Sequence, residues 1–290
     1  MVTKATPDML PRMNELWSKY FGDSVEYSSF FFEQHLKGKT EYENQFVYLE
    51  NGQVASMLTV IEGELSRRTK KDRFWYIYAV VTDEKYRKRG YAGKVLKYVL
   101  DLAKKENVIV GLVPANDGLY HYYSKFGFET FFYKKVEELT IFPEENDTCK
   151  LETADPSCYK QLRDKVYHNE NYIVWDEHAV KYALQENENS GGKAYICENT
   201  GYFLLVCPVG ETLIVRETNL PQQSLQSVCN FLGKQFRCKK ARIVTCSSSK
   251  VSGTPVKHGM ICYGDELLKS RDNTSYVMES ETGYIGLALD

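Results

Sequence analysis

Apolar residues recur at helical spacing between Met9 and Phe21 (Met9, Leu10, Met13, Leu16, Trp17, Tyr20), and Gly22 closes the run. That spacing predicts an amphipathic helix, with the glycine as its C-terminal stop. Val25 to Leu36 predicts a second helix. The period then changes. Phe46 to Glu50 and Gln53 to Ile61 flank Asn51-Gly52, a pair suited to the positive φ of a two-residue hairpin turn. Phe74 to Thr82 is aromatic and β-branched, which predicts a strand. Tyr91 to Glu106 returns to a helical period through Val95, Leu96, Val99, Leu100 and Ala103. Val108 to Val113 predicts a strand buried on both faces. Leu119 to Lys125 predicts a short helix ending at Gly127, and Phe128 to Leu139 a long strand or strand pair. The predicted order is helix, helix, hairpin, strand, helix, strand, helix, strand.

Pro143-Glu144-Glu145-Asn146-Asp147 is polar and predicts a linker. Beyond it the pattern partly repeats. Tyr159 to Tyr167 and Asp176 to Gln185 read as helices, and Ala194 to Gly201 echoes Phe46 to Gly52. Thr212 to Glu217 predicts a strand, Leu225 to Phe236 a helix, and Ala241 to Cys246 another strand. Tyr284 to Asp290 reads as a closing strand. This weak repeat points to duplication of one α/β unit. It places one domain at residues 1–142 and a second at 148–290.

Composition narrows the class. The 290 residues are 43% apolar and 26% charged, as in an ordinary globular protein of one large or two smaller domains. A net charge of −2 argues against a dedicated nucleic-acid binder. No apolar run reaches membrane-spanning length, and the first residues lack the apolar core of a signal peptide. The expectation is a cytoplasmic protein with neither a membrane nor a nucleic acid as partner. All eight cysteines lie in the second half, none in a C-x-x-C, and the five histidines are scattered. Free thiols and no metal site are therefore expected.

The segment with most chemical content runs from Val80 to Gly93. A strand leads into the basic turn Arg87-Lys88-Arg89-Gly90, and a helical pattern follows. Such a corner presents backbone N–H groups and a helix N-terminus to a phosphate-bearing ligand. Gly90 and Ala92 keep side chains off the approach. The bland alternative is a solvated basic turn that begins a helix. In the second half the corresponding stretch is Leu220-Pro221-Gln222-Gln223-Ser224, with no glycine and no cation.

Val80 to Gly93 resembles the acetyl-CoA pyrophosphate motif of the GNAT N-acetyltransferase superfamily, R/Q-x-x-G-x-G/A. Leu112-Val113-Pro114, followed by Tyr122-Tyr123-Ser124-Lys125-Phe126-Gly127-Phe128, is similar to the superfamily's strand-then-Y-x-K-x-G-F segment. The resemblance covers about residues 1–140. The remainder looks like a degenerate second copy, as in tandem-GNAT proteins related to the enhanced-intracellular-survival acetyltransferases. The implied fold is α/β: two tandem GNAT-like domains around a mixed sheet whose fourth and fifth strands splay. The implied function is transfer of an acetyl group from acetyl-CoA to a small-molecule or peptide amine by direct attack on the thioester. A non-catalytic acyl-CoA-binding sensor is the alternative.

The resemblance also assigns residues. Val80, Val81 and Thr82 would meet the pantetheine arm, and Arg87, Lys88, Arg89, Gly90, Tyr91, Ala92 and Gly93 would hold the pyrophosphate. Asn116 is a further pantetheine candidate. Tyr123 matches the tyrosine that protonates the departing thiolate, although a core aromatic is the competing reading. Many relatives carry a glutamate on strand four, where Phe74 to Ala79 has no carboxylate. Glu62 or Glu64 on the preceding strand, for which a solvated strand edge is the competing reading, or the terminal carboxylate at Asp290, are the candidates for the base. His121, two residues before Tyr123, lines the pocket or is a lone surface histidine. Tyr27, Phe30, Phe31 and Phe32 pack a core or line an acceptor pocket.

Overall fold

A computed structural model of the chain describes residues 1–35, 44–67, 70–142, 150–197, 200–263 and 282–288. The chain divides into two compact units. The first holds Met1–Glu64, Asp72–Glu129 and a stretch that starts at Met260. The second holds Leu65–Lys71, Thr130–Gly259 and the last residues of the chain. The 143–147 linker lies outside the described residues.

In the first unit the elements are β1 (Val2–Lys4), α1 (Leu10–Phe21), α2 (Val25–Phe30), β2 (Gln45–Glu50), β3 (Gln53–Arg67), β4 (Lys70–Thr82), α3 (Tyr91–Lys105), β5 (Ile109–Leu112) and α4 (Asp117–Ser124). Gly22 ends α1 in the left-handed conformation at φ +83°, its N–H donating to Ser18 O. Asn51 and Gly52 both take positive φ, the geometry a two-residue hairpin needs. The strands are ordered β1-β2-β3-β4-β5. β4 and β5 are parallel and pair only from Phe74↔Ile109 to Ile77↔Leu112. Beyond Ile77, β4 runs on to Thr82 beside β3 but no longer paired with β5. Ala79 sits in that stretch at φ +51°, an uncommon backbone for a residue with a Cβ. It kinks the strand where the pairing ends. The apolar stripe of α3 (Val95, Leu96, Val99, Ala103) packs on Phe46, Leu58, Trp75, Ile77 and Val110.

The second unit contains β6 (Glu129–Thr140), β7 (Glu152–Thr153), α5 (Pro156–Tyr167), β8 (Tyr172–Val174), α6 (Glu177–Asn189), β9 (Lys193–Cys197), β10 (Tyr202–Val209), β11 (Thr212–Thr218), α7 (Gln222–Phe236), β12 (Lys240–Cys246) and β13 (Thr254–Cys262). The last three residues of β13, Met260–Cys262, pair with β5 in the first unit's sheet. In the second unit β9, β10 and β11 are antiparallel neighbours, and β11 runs parallel to β12 from Thr212↔Lys240 to Val215↔Ile243. A hairpin, a strand, a helix and a parallel strand thus occur in both halves. The expected α/β fold around a mixed sheet is the fold observed.

The closing strand expected at Tyr284–Asp290 does not form over its described part. Gly283 and Tyr284 make isolated bridges to Phe132 and Tyr172. The chain then turns at Gly286 and Leu287, because Trp175 Nε1 (2.7 Å) and Arg163 Nη2 (3.3 Å) both donate to Gly286 O. Asp290 lies outside the described residues. Seven cysteines, all those described, are free thiols. No helix among the described residues is long and apolar enough to cross a membrane.

Candidate active site

The basic turn closes β4 through a side-chain clamp. Asp83 is 2% exposed, and its carboxylate is ion-paired with Arg12 of α1. It also accepts from Lys85 N at 3.1 Å and Tyr20 Oη at 3.3 Å. Burial alone would raise the Asp83 carboxyl, but the Lys85 N–H and the Arg12 guanidinium outweigh it and hold it below the ordinary carboxylate value. Tyr20 Oη in turn accepts from Glu84 N at 2.7 Å. Ser56 Oγ donates to Val81 O at 2.8 Å, fixing the end of β4 from the other side. A helix and two strands therefore set the position of one short turn.

Within the turn the basic residues divide their work. Arg87 folds inward: Nε donates to Thr82 O at 3.2 Å and the guanidinium lies 4.6 Å from the Tyr20 ring centroid. Arg89 is over Tyr86 and 3.9 Å from Glu50. Lys88 is exposed and takes φ +64°. Gly90 follows at φ +76°, directly before α3. An L-residue there would be strained although open space surrounds its Cβ position. The first bond of α3 is Lys94 N to Gly90 O, so the N–H groups of Tyr91, Ala92 and Gly93 fall in the unpaired first turn. The macrodipole adds positive potential there.

Gly93 is required for a different reason. A Cβ there would meet Phe126 Cζ at 3.0 Å and Tyr122 Oη at 3.5 Å. The far end of α4 is thus packed against the first turn of α3. Asn116 caps α4, accepting from Leu119 N at 3.3 Å. Tyr123 is 7% exposed and edge-on to Tyr122 and Phe128, with centroids 5.2 and 5.9 Å away. Burial, with Tyr122 beside it, pushes the Tyr123 phenol up to about 12. Val80 is half-buried against the same apolar cluster.

The remaining candidates are dispersed. Glu62 is half-buried and Glu64 exposed, both on β3. His121 is exposed. Phe31 and Phe32 are core residues around Trp17, which also meets Tyr27 and Tyr78. The Asp83–Arg12–Tyr20 clamp was not singled out by sequence reasoning, because its members join 71 positions apart. Ala79 carries no sequence mark of its backbone conformation either.

Residues 1–131 match the Acetyltransferase (GNAT) domain family. No curated protein matches the chain. Among solved structures, a GCN5-related N-acetyltransferase from Anabaena variabilis is similar at TM-score 0.71 and 16% identity, over 90% of this chain and 72% of that one. One from Kribbella flavida gives TM-score 0.70 and 13% identity, over 90% and 70%. Eis1 from Mycobacterium abscessus gives 0.63 and 9%, over 92% and 74%. At these identities the likeness concerns the fold. With the family match, residues 1–131 are similar to GNAT acetyltransferase domains, and over the rest of the chain the solved structures show a shared fold.

Proposed function

We propose that the first unit is an acetyl-CoA-dependent N-acyltransferase acting on an amine. The observation that carries this reading is the head of α3. Lys88 and Gly90 are both left-handed, and three first-turn N–H groups follow at the end of β4 that no longer pairs with β5. A diphosphate needs converging N–H donors, positive charge and no Cβ in the way, and this corner supplies all three. The residues present therefore fit the ligand. The second unit, whose corresponding turn has neither glycine nor cation, is proposed as the non-catalytic copy.

The amine attacks the thioester carbon directly, so the C–N bond forms and the C–S bond breaks with no enzyme-bound acyl group. The attacking amine must be neutral. For an alkylamine with pKa ~10.4 that costs about 4.6 kcal/mol at pH 7. Glu62 or Glu64 is proposed to accept the amine proton, directly or through water. Tyr123 is proposed as the donor to the departing sulfur. With its phenol near 12, full proton transfer to an ordinary thiolate of pKa ~8.5 is uphill by roughly 5 kcal/mol. Tyr123 therefore acts by hydrogen bonding to the thiolate, and the proton that finally resides on sulfur derives from the amine.

The test is thiol release from acetyl-CoA on a panel of alkylamines and peptides. The expected result is turnover with at least one amine class, rising with pH as the amine deprotonates. The absence of a carboxylate from Phe74 to Thr82 favours a second reading, a non-catalytic acyl-CoA sensor. Tight CoA binding with no thiol release on any acceptor would support that reading and sink the transferase.

A further inference from the structure

The second unit contains a cavity of about 310 Å³ that the proposed chemistry does not use. It lies on the face of the sheet away from the buried positions Ala241, Ile243 and Thr245 of β12. Strand register brings basic side chains together on that face. Ile214 pairs with Arg242, and Arg216 lies two residues further along β11, on the same side. Lys134 of β6 and His258 of β13 complete the basic lining, and Glu186 of α6 is its one carboxylate. Arg216 is 4.0 Å from Glu186. The permanent charges lining the cavity thus comprise three cations and one anion.

The rest of the wall is apolar. Leu205, Ile214 and Val244 come from the sheet, and Ile285 and Leu287 from the terminal segment. That segment is pinned in place. Gly286 O is held by Arg163 and Trp175, and a Cβ on Gly286 would fall 2.0 Å from Glu217 Oε1. Arg163 and Glu217 are themselves fully buried and paired at 3.1 Å. Leu287 takes φ +58°, uncommon for leucine and sustained only where the surroundings impose it. A wall built in this way is formed before any ligand arrives, which lowers the ordering cost of binding.

We propose that this cavity is a binding site for a small organic anion, a carboxylate or phosphate head on a short apolar body. The head pairs with the Arg216–Arg242–Lys134 side, and the body lies against Leu205, Val244 and Ile285. The volume is in the range of small-ligand sites.

The experiment is calorimetric titration of the full chain with hexanoate, butyl phosphate and neutral hexanamide. At least one anion is expected to bind with a dissociation constant near or below about 1 mM, and the amide not to bind. The two anion arms tell a carboxylate site from a phosphate site. Arg242→Gln and Lys134→Gln, at exposed or half-exposed positions, should each weaken the anion about tenfold, the loss of one charge-assisted hydrogen bond. Thermal melting establishes that both variants fold. Gly90→Glu should leave this binding unchanged. No binding of either anion, equal binding of the amide, wild-type affinity in both variants, or loss of binding in Gly90→Glu would each overturn the proposal.

Discussion

β4, α3 and β5 in the first unit and β11, α7 and β12 in the second share one connectivity, and in each the parallel pairing stops after four residues. The helix heads differ. α3 begins at Gly90, left-handed, behind a basic turn. α7 begins behind Pro221, in extended conformation at φ −71° and ψ 154°. Around α7 the polar groups are already engaged: Gln222 accepts from Ser252 N at 2.6 Å and donates to Glu137 at 3.0 Å. Two residues beyond the last parallel pair the first unit has Ala79 and the second has Glu217. At that position the second unit therefore carries a carboxylate, neutralised by Arg163 and fully buried. Nor does the second unit place a helix between β12 and β13, so Tyr123 has no counterpart there. On the proposed function this corner serves a ligand in the first unit, while in the second unit it is taken up by packing, according to a few local choices.

The largest effect expected from breaking this contrast is at Glu217. Glu217→Gln leaves Arg163 charged, buried and unpaired, and should cost about 3–5 kcal/mol in urea denaturation. CoA affinity of the folded fraction should stay at the wild-type value; a parallel loss of affinity would mean that the second unit serves the ligand directly. Tyr123→Phe comes next. Removing one hydrogen bond to a developing thiolate, about 1.5–3 kcal/mol, should lower kcat roughly 10–100-fold with little change in CoA affinity. Wild-type turnover would remove Tyr123 from the chemistry.

Asp83→Asn should cost about 1–2 kcal/mol of stability and weaken CoA binding several-fold through the released turn. Because the Asp83 carboxyl is held below its ordinary value, its contribution is complete above about pH 4 and lost as pH falls through the folded value. The smallest effect separates the units at alkaline pH. Burial raises the phenols of Tyr123 in the first unit and of Tyr159, Tyr167 and Tyr284 in the second. A raised phenol stabilises the fold fully below about pH 10 and loses that contribution as pH rises through the folded value, near 12 for Tyr123. Tyr91 and Tyr122 in the first unit and Tyr195 in the second are raised as well. Only Tyr159, Tyr167 and Tyr284 are fully buried and raised well above the ordinary value, so the second unit should lose near-UV dichroism first in an alkaline titration.

Sequence patterns carried what is locally determined. α3 and the β2–β3 hairpin follow from apolar period and from Asn51-Gly52, whose backbone needs are set by two adjacent residues. The basic turn is legible for the same reason, since left-handed glycine, charge and helix start lie within a few positions. What escaped is long-range. Arg163 and Glu217 meet across 54 positions. β13 is divided between two units, and the segment after Gly283 turns where Arg163 and Trp175 hold it rather than continuing as the expected strand. Arg87 looked like a ligand contact by its charge, and its observed partners, Tyr20 and Thr82 O, depend on where α1 packs.

The central claim is one CoA site per chain, at the head of α3. Calorimetric titration of CoA into the wild-type chain and into Gly90→Glu measures it directly. The account predicts one site in the wild type and none in the variant, whose carboxylate would face the diphosphate from a strained backbone position. Two sites in the wild type, or undiminished affinity in Gly90→Glu, would contradict it.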